Sequence, residues 1–403
     1  MRRQFKVLAT TQEPVPPVRP ANSRRQATRL LPVLGTAIAM CATLVGVAGP
    51  AAALPPSAFL GQFNTVTNVS TTVPPVIGDV NPYGIVNVPQ TIGLLNRGDT
   101  LVSNFNASSN LQGTGTTIVE ISPGGQQSLF AHINPDHLPG ACPGGVGLTT
   151  ALTVLAGGFV VVGSLPVTEA GMGNPEAGCL IVLNSDGNPV ETWSGGPING
   201  PWDMTVLQFP RFAELFVTNV LNGLIPGNTN VVNQGTVIRI LVTLPPGRNP
   251  IMLGSTLIGT GFAEQLNSSA LVLGPTGVAL GANGVLYVAD TVNSRIATIP
   301  LAALRVTPVT GGGGTLTSGG SINSPLGMTL APNGDIITVN GGDGNGVETT
   351  PQGVQVDTVQ LDPAGMGGDL FGLTIAPDNR GVLFVDDGDN TLKLFSHVGR
   401  YGP

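Results

Sequence analysis

The stretch that decides the reading of this chain is Gly274-Pro-Thr-Gly-Val-Ala-Leu-Gly-Ala-Asn-Gly-Val-Leu-Tyr-Val-Ala-Asp-Thr-Val-Asn-Ser-Arg-Ile296. Val278 and Leu280 alternate with smaller residues, and Asn283-Gly284 offers the positive φ angles of a two-residue hairpin turn. Val285 to Ala289 is a short apolar run with β-branched and aromatic members, as in a buried strand. Asp290 to Asn293 turns the chain again, because Asx side chains hydrogen-bond nearby backbone. A meander this short cannot bury its own apolar faces, so the pattern predicts copies elsewhere.

Two clear copies follow: Pro325-Leu-Gly-Met-Thr-Leu-Ala-Pro-Asn-Gly-Asp-Ile-Ile-Thr-Val-Asn340, and Phe371 to Asp387 with a longer turn. Three fainter ones precede it, from Pro82 to Asn104, Ala151 to Ser164 and Pro201 to Asn219. The equivalent positions are Gly84, Ala151, Asp203, Gly277, Gly327 and Gly372, at intervals of 45 to 74 residues. Such intervals suit four-stranded blades with variable loops, and six copies predict an all-β, six-bladed β-propeller over 81–403.

Pro-x-Gly, then Asn-Gly, then Leu-Tyr-Val-Ala-Asp-x-x-Asn-x-Arg-Ile resembles an NHL repeat. More distantly, the chain resembles the six-bladed propellers of the gluconolactonase-like group. The resemblance implies a fold more than an activity, since one propeller scaffold hosts many functions. For the lactonase group it implies acidic and Asn residues around a central metal. Their metal-binding glutamate near the mature N-terminus has no counterpart here.

Residues 1–53 read as a secretory signal peptide. Arg2, Arg3, Lys6, Arg19, Arg24, Arg25 and Arg29 precede an apolar stretch from Leu30 to Val47, and Ala51-Ala52-Ala53 is a small-residue cleavage pattern. Arg24-Arg25 resembles a twin-arginine export signal, leaving the route open between that and general secretion. A retained anchor is the alternative, since the apolar stretch is just long enough to span a bilayer. Removing this segment takes seven basic residues and one acid, leaving 9 Lys/Arg against 22 Asp/Glu, a net charge of −13. So acidic a domain repels phosphate backbones, which argues against nucleic-acid binding. Low charge, 58 Gly and 35 Pro with many Val, Leu, Ile and Thr also favour an all-β chain. Two cysteines, Cys142 and Cys179, remain after cleavage, and in an exported protein they are expected to pair.

Past Asp387 only one further strand fits, Thr391 to Val398, so the sixth blade is one strand short. Residues 58–70, within the N-terminal segment 54–80, are expected to supply the missing strand and remove two exposed sheet edges. Long Gly/Asn/Pro loops (104–117, 133–148, 165–178, 221–235 and 341–353) are expected to gather on one rim, where loops commonly carry function.

Candidate functional residues fall in two sets. Asn104, Asn219, Asp290, Asn340 and Asp387, with Ser164, occupy one repeat position, and an oxygen-rich ring suits Ca²⁺. The alternative is that each caps its own strand end. Asp343, Asn345 and Glu348 form a partial calcium-loop pattern without the full EF-hand spacing. His132 and His137 flank Asp136 in a loop and would reach an axial site only from the rim. Trp202 aligns with Tyr83, Thr276, Leu326 and Phe371, which favours packing over ligand stacking. The sequence therefore reads as an exported, extracellular, periplasmic or envelope propeller, monomeric and without a membrane span once cleaved. It would bind a protein, a glycan or a small molecule at its loop-rich rim. The alternative is a Ca²⁺-dependent lactonase or esterase with its metal in the central channel.

Overall fold

A computed structural model describes residues 58–167, 175–363 and 368–397. The segment read as a signal peptide lies outside them. Among the described residues no helix is long and apolar enough to cross a membrane.

Six antiparallel sheets follow one another along the chain. The first blade comprises Val80–Asn87, Thr100–Asn106, Thr117–Ile121 and Gln127–His132. The second comprises Leu148–Leu155, Phe159–Ser164, Cys179–Leu183 and Pro189–Trp193. The third comprises Gly200–Gln208, Phe212–Val220, Val232–Thr243 and the long Ile251–Asn267, with Leu271–Leu273 as a short fifth strand. The fourth comprises Pro275–Leu280, Leu286–Asp290, Arg295–Ile299 and Gly314–Ser318, and the fifth Pro325–Leu330, Ile336–Asn340, Asn345–Thr349 and Gln355–Gln360. The sixth comprises Leu370–Ile375, Gly381–Asp386 and Thr391–Ser396, and Thr65–Thr71 pairs antiparallel with the last of these. The innermost strand of each blade touches that of the next, and the sixth touches the first, so the chain is a closed six-bladed propeller.

The founding hairpin differs in detail from its sequence reading. Only Gly284 takes a positive φ, 75°. The Gly284 N–H donates to Gly281 O, and the Gly281 N–H to Val285 O, which makes a wider turn than two residues. Asn283 uses its side chain instead, accepting from the Val285 N–H and donating to the Tyr287 hydroxyl.

Each innermost strand slips register against its neighbour at the same place, between Pro82 and Gly84, Leu148 and Leu152, Pro201 and Met204, Pro275 and Val278, Pro325 and Met328, and Leu370 and Leu373. These bulges turn the residue before the glycine toward the axis. Tyr83 stacks on Phe371 at 3.8 Å and on Phe105 at 4.4 Å, with Trp202 6.1 Å from Phe371. Leu326 joins the same buried cluster. Thr276, at the same position, instead donates to Leu326 O. The alignment of these residues thus marks axial packing.

The N-terminal segment is fastened chemically as well as by pairing. Leu60–Gln62 forms a 3-10 turn rather than strand, and Phe59 and Phe63 pack edge-on at 5.0 Å, with Phe63 also against Phe395. The buried Glu348 carboxylate accepts the N–H groups of Phe59 (2.8 Å) and Leu60 (2.7 Å), and the Asn333 amide at 3.0 Å. Glu348→Ala would leave buried donors unpaired, and each costs about 1–3 kcal/mol. We expect chemical denaturation to show a loss of about 2 kcal/mol or more, with increased proteolysis near residue 60.

Candidate functional site

The six innermost strands, continued past their bulges, enclose an axial chamber of about 300 Å³. Its walls are mostly Val, Leu, Met and Thr side chains, among them Thr153, Thr205, Thr329 and Thr374. The aromatic cluster around Tyr83, Trp202 and Phe371 fills the axis next to the bulges. Among the described residues, Asp203 is the one ionisable residue lining the chamber.

Asp203 stands where blades one, four, five and six carry glycine. In those blades the backbones come so close that a side chain would collide: a Cβ on Gly327 would lie 1.8 Å from Phe371 O, and one on Gly372 2.4 Å from Tyr83 O. The third blade opens this contact and inserts a carboxyl between strands. Asp203 Oδ1 accepts the Met204 N–H at 2.8 Å, and Oδ2 accepts the Val278 N–H of the fourth blade at 3.1 Å. Burial pushes the Asp203 carboxyl up to about 8, against the pull of those two N–H groups. Burial thus favours its protonated form, which can offer an O–H donor to a chamber lined by threonine and aliphatic side chains. Sequence reading aligned Asp203 with the glycines without singling it out. An acid at a glycine position was the available signal.

The aligned Asx residues do not converge. The Asn104 amide donates to Thr72 O and the Thr117 hydroxyl. Ser164 accepts from Gly147 and donates to Gly145 O. Asn219 Oδ1 accepts the Asn199 N–H, and Asn340 bonds Asn323, Ser321 and Asp343. Asp290 pairs with Arg295 at 2.7 Å. Asn219, Asp290 and Asn340 bond residues around their own strand ends, whereas Asn104 also reaches Thr72 of the N-terminal segment. In the sixth blade the register puts Asp386 opposite Leu370, so Asp386 rather than Asp387 holds this position, and it pairs with Lys393 at 2.5 Å. The longer turn of that copy displaces the count by one.

The partial calcium loop is not assembled either. Asp343 accepts the Asn345 N–H and the amides of Asn340 and Asn323, whereas Glu348 lies on the next strand and holds Phe59 and Leu60. Among the described residues no three His, Cys, Asp or Glu side chains gather as a metal-ligating group. His137 sits in an exposed 3-10 turn, and His397 packs edge-on against Phe63 at 5.4 Å. Cys142 and Cys179 form a disulfide across 37 residues. Asp387 lies against Asp369 and lines one pocket with Asn81 and Asn106. Burial and then the charges of Asp369, Asp386 and Asp362 push it up to about 8.

The fold and its axial chamber define a six-bladed β-propeller. Residues 273–298 match the family model of the NHL repeat. Among solved structures, the chain is similar to a gluconolactonase from Xanthomonas campestris (13% identity, 84% of this chain and 92% of that one, TM-score 0.52). It is also similar to a luciferin-regenerating enzyme (12% identity, 83% and 96%, TM-score 0.50). At these identities the likeness concerns the fold. No curated protein matches the chain.

Asp203, Glu264 and Asp387 are all pushed up to about 8 with burial as the leading cause. An unfolded chain releases these protons near pH 4, so between pH 4 and 8 the folded state holds more of them. Their contribution to stability therefore falls as pH rises through that window, by up to about 1.4 kcal/mol per unit for each group. Asp203→Asn, which mimics the protonated acid, is expected to flatten the slope by one such share between pH 5 and 8. Urea denaturation at several pH values measures it.

Proposed function

We propose that this chain is an exported propeller that binds a small, uncharged or weakly polar molecule in its axial chamber, beside Asp203. The observation that carries this reading is the chamber itself. All six blades contribute to it, it is backed by an aromatic cluster, and Asp203, whose carboxyl burial pushes upward, sits among threonine hydroxyls. At about 300 Å³ it lies at the small end of ligand sites, which span about 300–1,000 Å³. A largely neutral Asp203 would donate a hydrogen bond to a carbonyl or hydroxyl oxygen, and the aliphatic walls would bury the rest. On this reading recognition lies on the axis, and the long loops are free to serve a protein or glycan partner at the rim.

Export is supported by the basic, apolar and Ala-x-Ala succession of residues 1–53 and by the Cys142–Cys179 disulfide, since disulfides persist in oxidising compartments. Once released, the protein would work as a monomer. The lactonase reading draws on the named gluconolactonase of similar fold. It would have to use Asp203 as its acid or base, because that is the titratable group facing the chamber.

Calorimetry with glucono-δ-lactone, glucose and a small aliphatic lactone, with hydrolysis followed in parallel, separates the two readings. We expect saturable binding without turnover, weakened about tenfold by Thr329→Val or Asp203→Asn. Turnover abolished by Asp203→Asn would replace the binding reading by the enzymatic one. Neither binding nor turnover with any probe would move the site from the axis to the rim.

A further inference from the structure

A second polar pocket, of about 560 Å³, lies between the residues after Asn106, the turn at Ser268-Ser269 and the turn 387–390, and it shares no lining residue with the axial chamber. Its walls are almost wholly Asn, Asp, Gln and Ser side chains. Two of these residues are more than nine-tenths buried: Asn81 is 6% exposed and Asn106 2%. The Oδ1 atoms of both have no hydrogen-bond donor.

The orientation of Asn106 is fixed by its other contacts. The Asn106 amide donates to Asn110 Oδ1 at 2.7 Å, so the nitrogen is committed and the oxygen is left over. Asn81 is held in the left-handed region (φ 63°) while its backbone N–H donates to Asn390 Oδ1 at 2.6 Å. The Tyr83 hydroxyl lies beside the Asn81 side chain. Asp387 and Asp369 are brought together by the Asp387 N–H donating to Asp369 O at 2.8 Å. Gly388 lets Asp369 approach, since a Cβ there would sit 3.0 Å from Asp369 Oδ2. The Gln112 amide ties the overlying turn by donating to Ser268 O (3.0 Å) and Ser269 O (2.7 Å).

Among the described residues, this is a concentration of oxygen acceptors without a lysine, arginine or histidine in its lining. Lys393, the cation of this corner, is drawn to Asp386 (2.5 Å) and Asp389 (2.8 Å). Buried acceptors without donors, beside two carboxylates, cost free energy unless something positive sits among them. An oxygen-only donor set of carboxylates and amide carbonyls is what hard cations take, and soft metals prefer nitrogen or sulfur. We propose that this pocket binds a divalent cation of the calcium class through Asn81, Asn106, Asp369 and Asp387. Ca²⁺ accepts six to eight oxygens at 2.3–2.6 Å, and the volume leaves room for waters to complete its shell. Binding there would tie the sixth blade to the first, and both to the turn crossing the aromatic cluster.

The test is titration of the disulfide-intact protein with calcium chloride by calorimetry and thermal unfolding, with terbium emission excited through Tyr83 and Trp202 as a second readout. One equivalent should bind and raise the unfolding temperature. Asp369→Asn and Asp387→Asn should each weaken binding at least tenfold, and Asp343→Asn, in another blade, should not. Gly388→Ala, which removes no ligand but crowds Asp369, should also weaken it and keeps the test open if an Asn variant fails to fold. Absence of heat and of thermal shift up to about 5 mM calcium, beyond the range extracellular calcium modules need, would overturn the proposal. So would undiminished binding in both Asn variants or an unaffected Gly388→Ala.

Discussion

The structure depends on how closely its innermost strands approach one another at the axis. Where Gly327 faces Phe371 O and Gly372 faces Tyr83 O, a single methyl group would collide with the next blade's backbone. The bulge in each inner strand follows from the same crowding. One residue is left unpaired beside the glycine and turned inward, and Tyr83, Trp202, Leu326 and Phe371 meet there. Blade spacing, the aromatic cluster and the chamber beyond it are consequences of one steric condition repeated around the ring. Asp203 marks where that condition is relaxed and a carboxyl replaces backbone contact.

The few charges of the described domain are placed with purpose. Asp290 and Asp386 each take one nearby cation, Arg295 and Lys393, and hold the turn after their own strand. Glu348 accepts two backbone N–H groups of the N-terminal segment through its two carboxyl oxygens. Asp203 and Asp387 have no such cation, and both are driven toward protonation by burial. Groups left in that state on a rigid scaffold are where ligand chemistry is expected.

The repeat was legible because it follows from local rules. Glycine next to a proline-led strand, an apolar alternation and an Asx at the strand end each report a nearby requirement, and together they placed all six blades. Counting by sequence failed at Asp387 because the longer turn adds residues whose register only pairing with Leu370 fixes. For Asn104, Asn219, Asp290 and Asn340, pseudo-symmetry sets a residue's height in the blade but not the direction of its side chain. Glu348 looked like part of a loop with Asp343, yet its partners are about 290 residues away in sequence.

By itself the sequence determined the all-β class, the number of blades, the pairing-competent cysteines and the acidic character of the domain. Periodicity, composition and turn chemistry are carried by neighbours along the chain. Tertiary structure alone decided which oxygens lack donors, which carboxyl faces the axis and which segment Glu348 holds. Those depend on desolvation and on contacts between residues far apart in the chain, and such contacts exist only once the ring has closed.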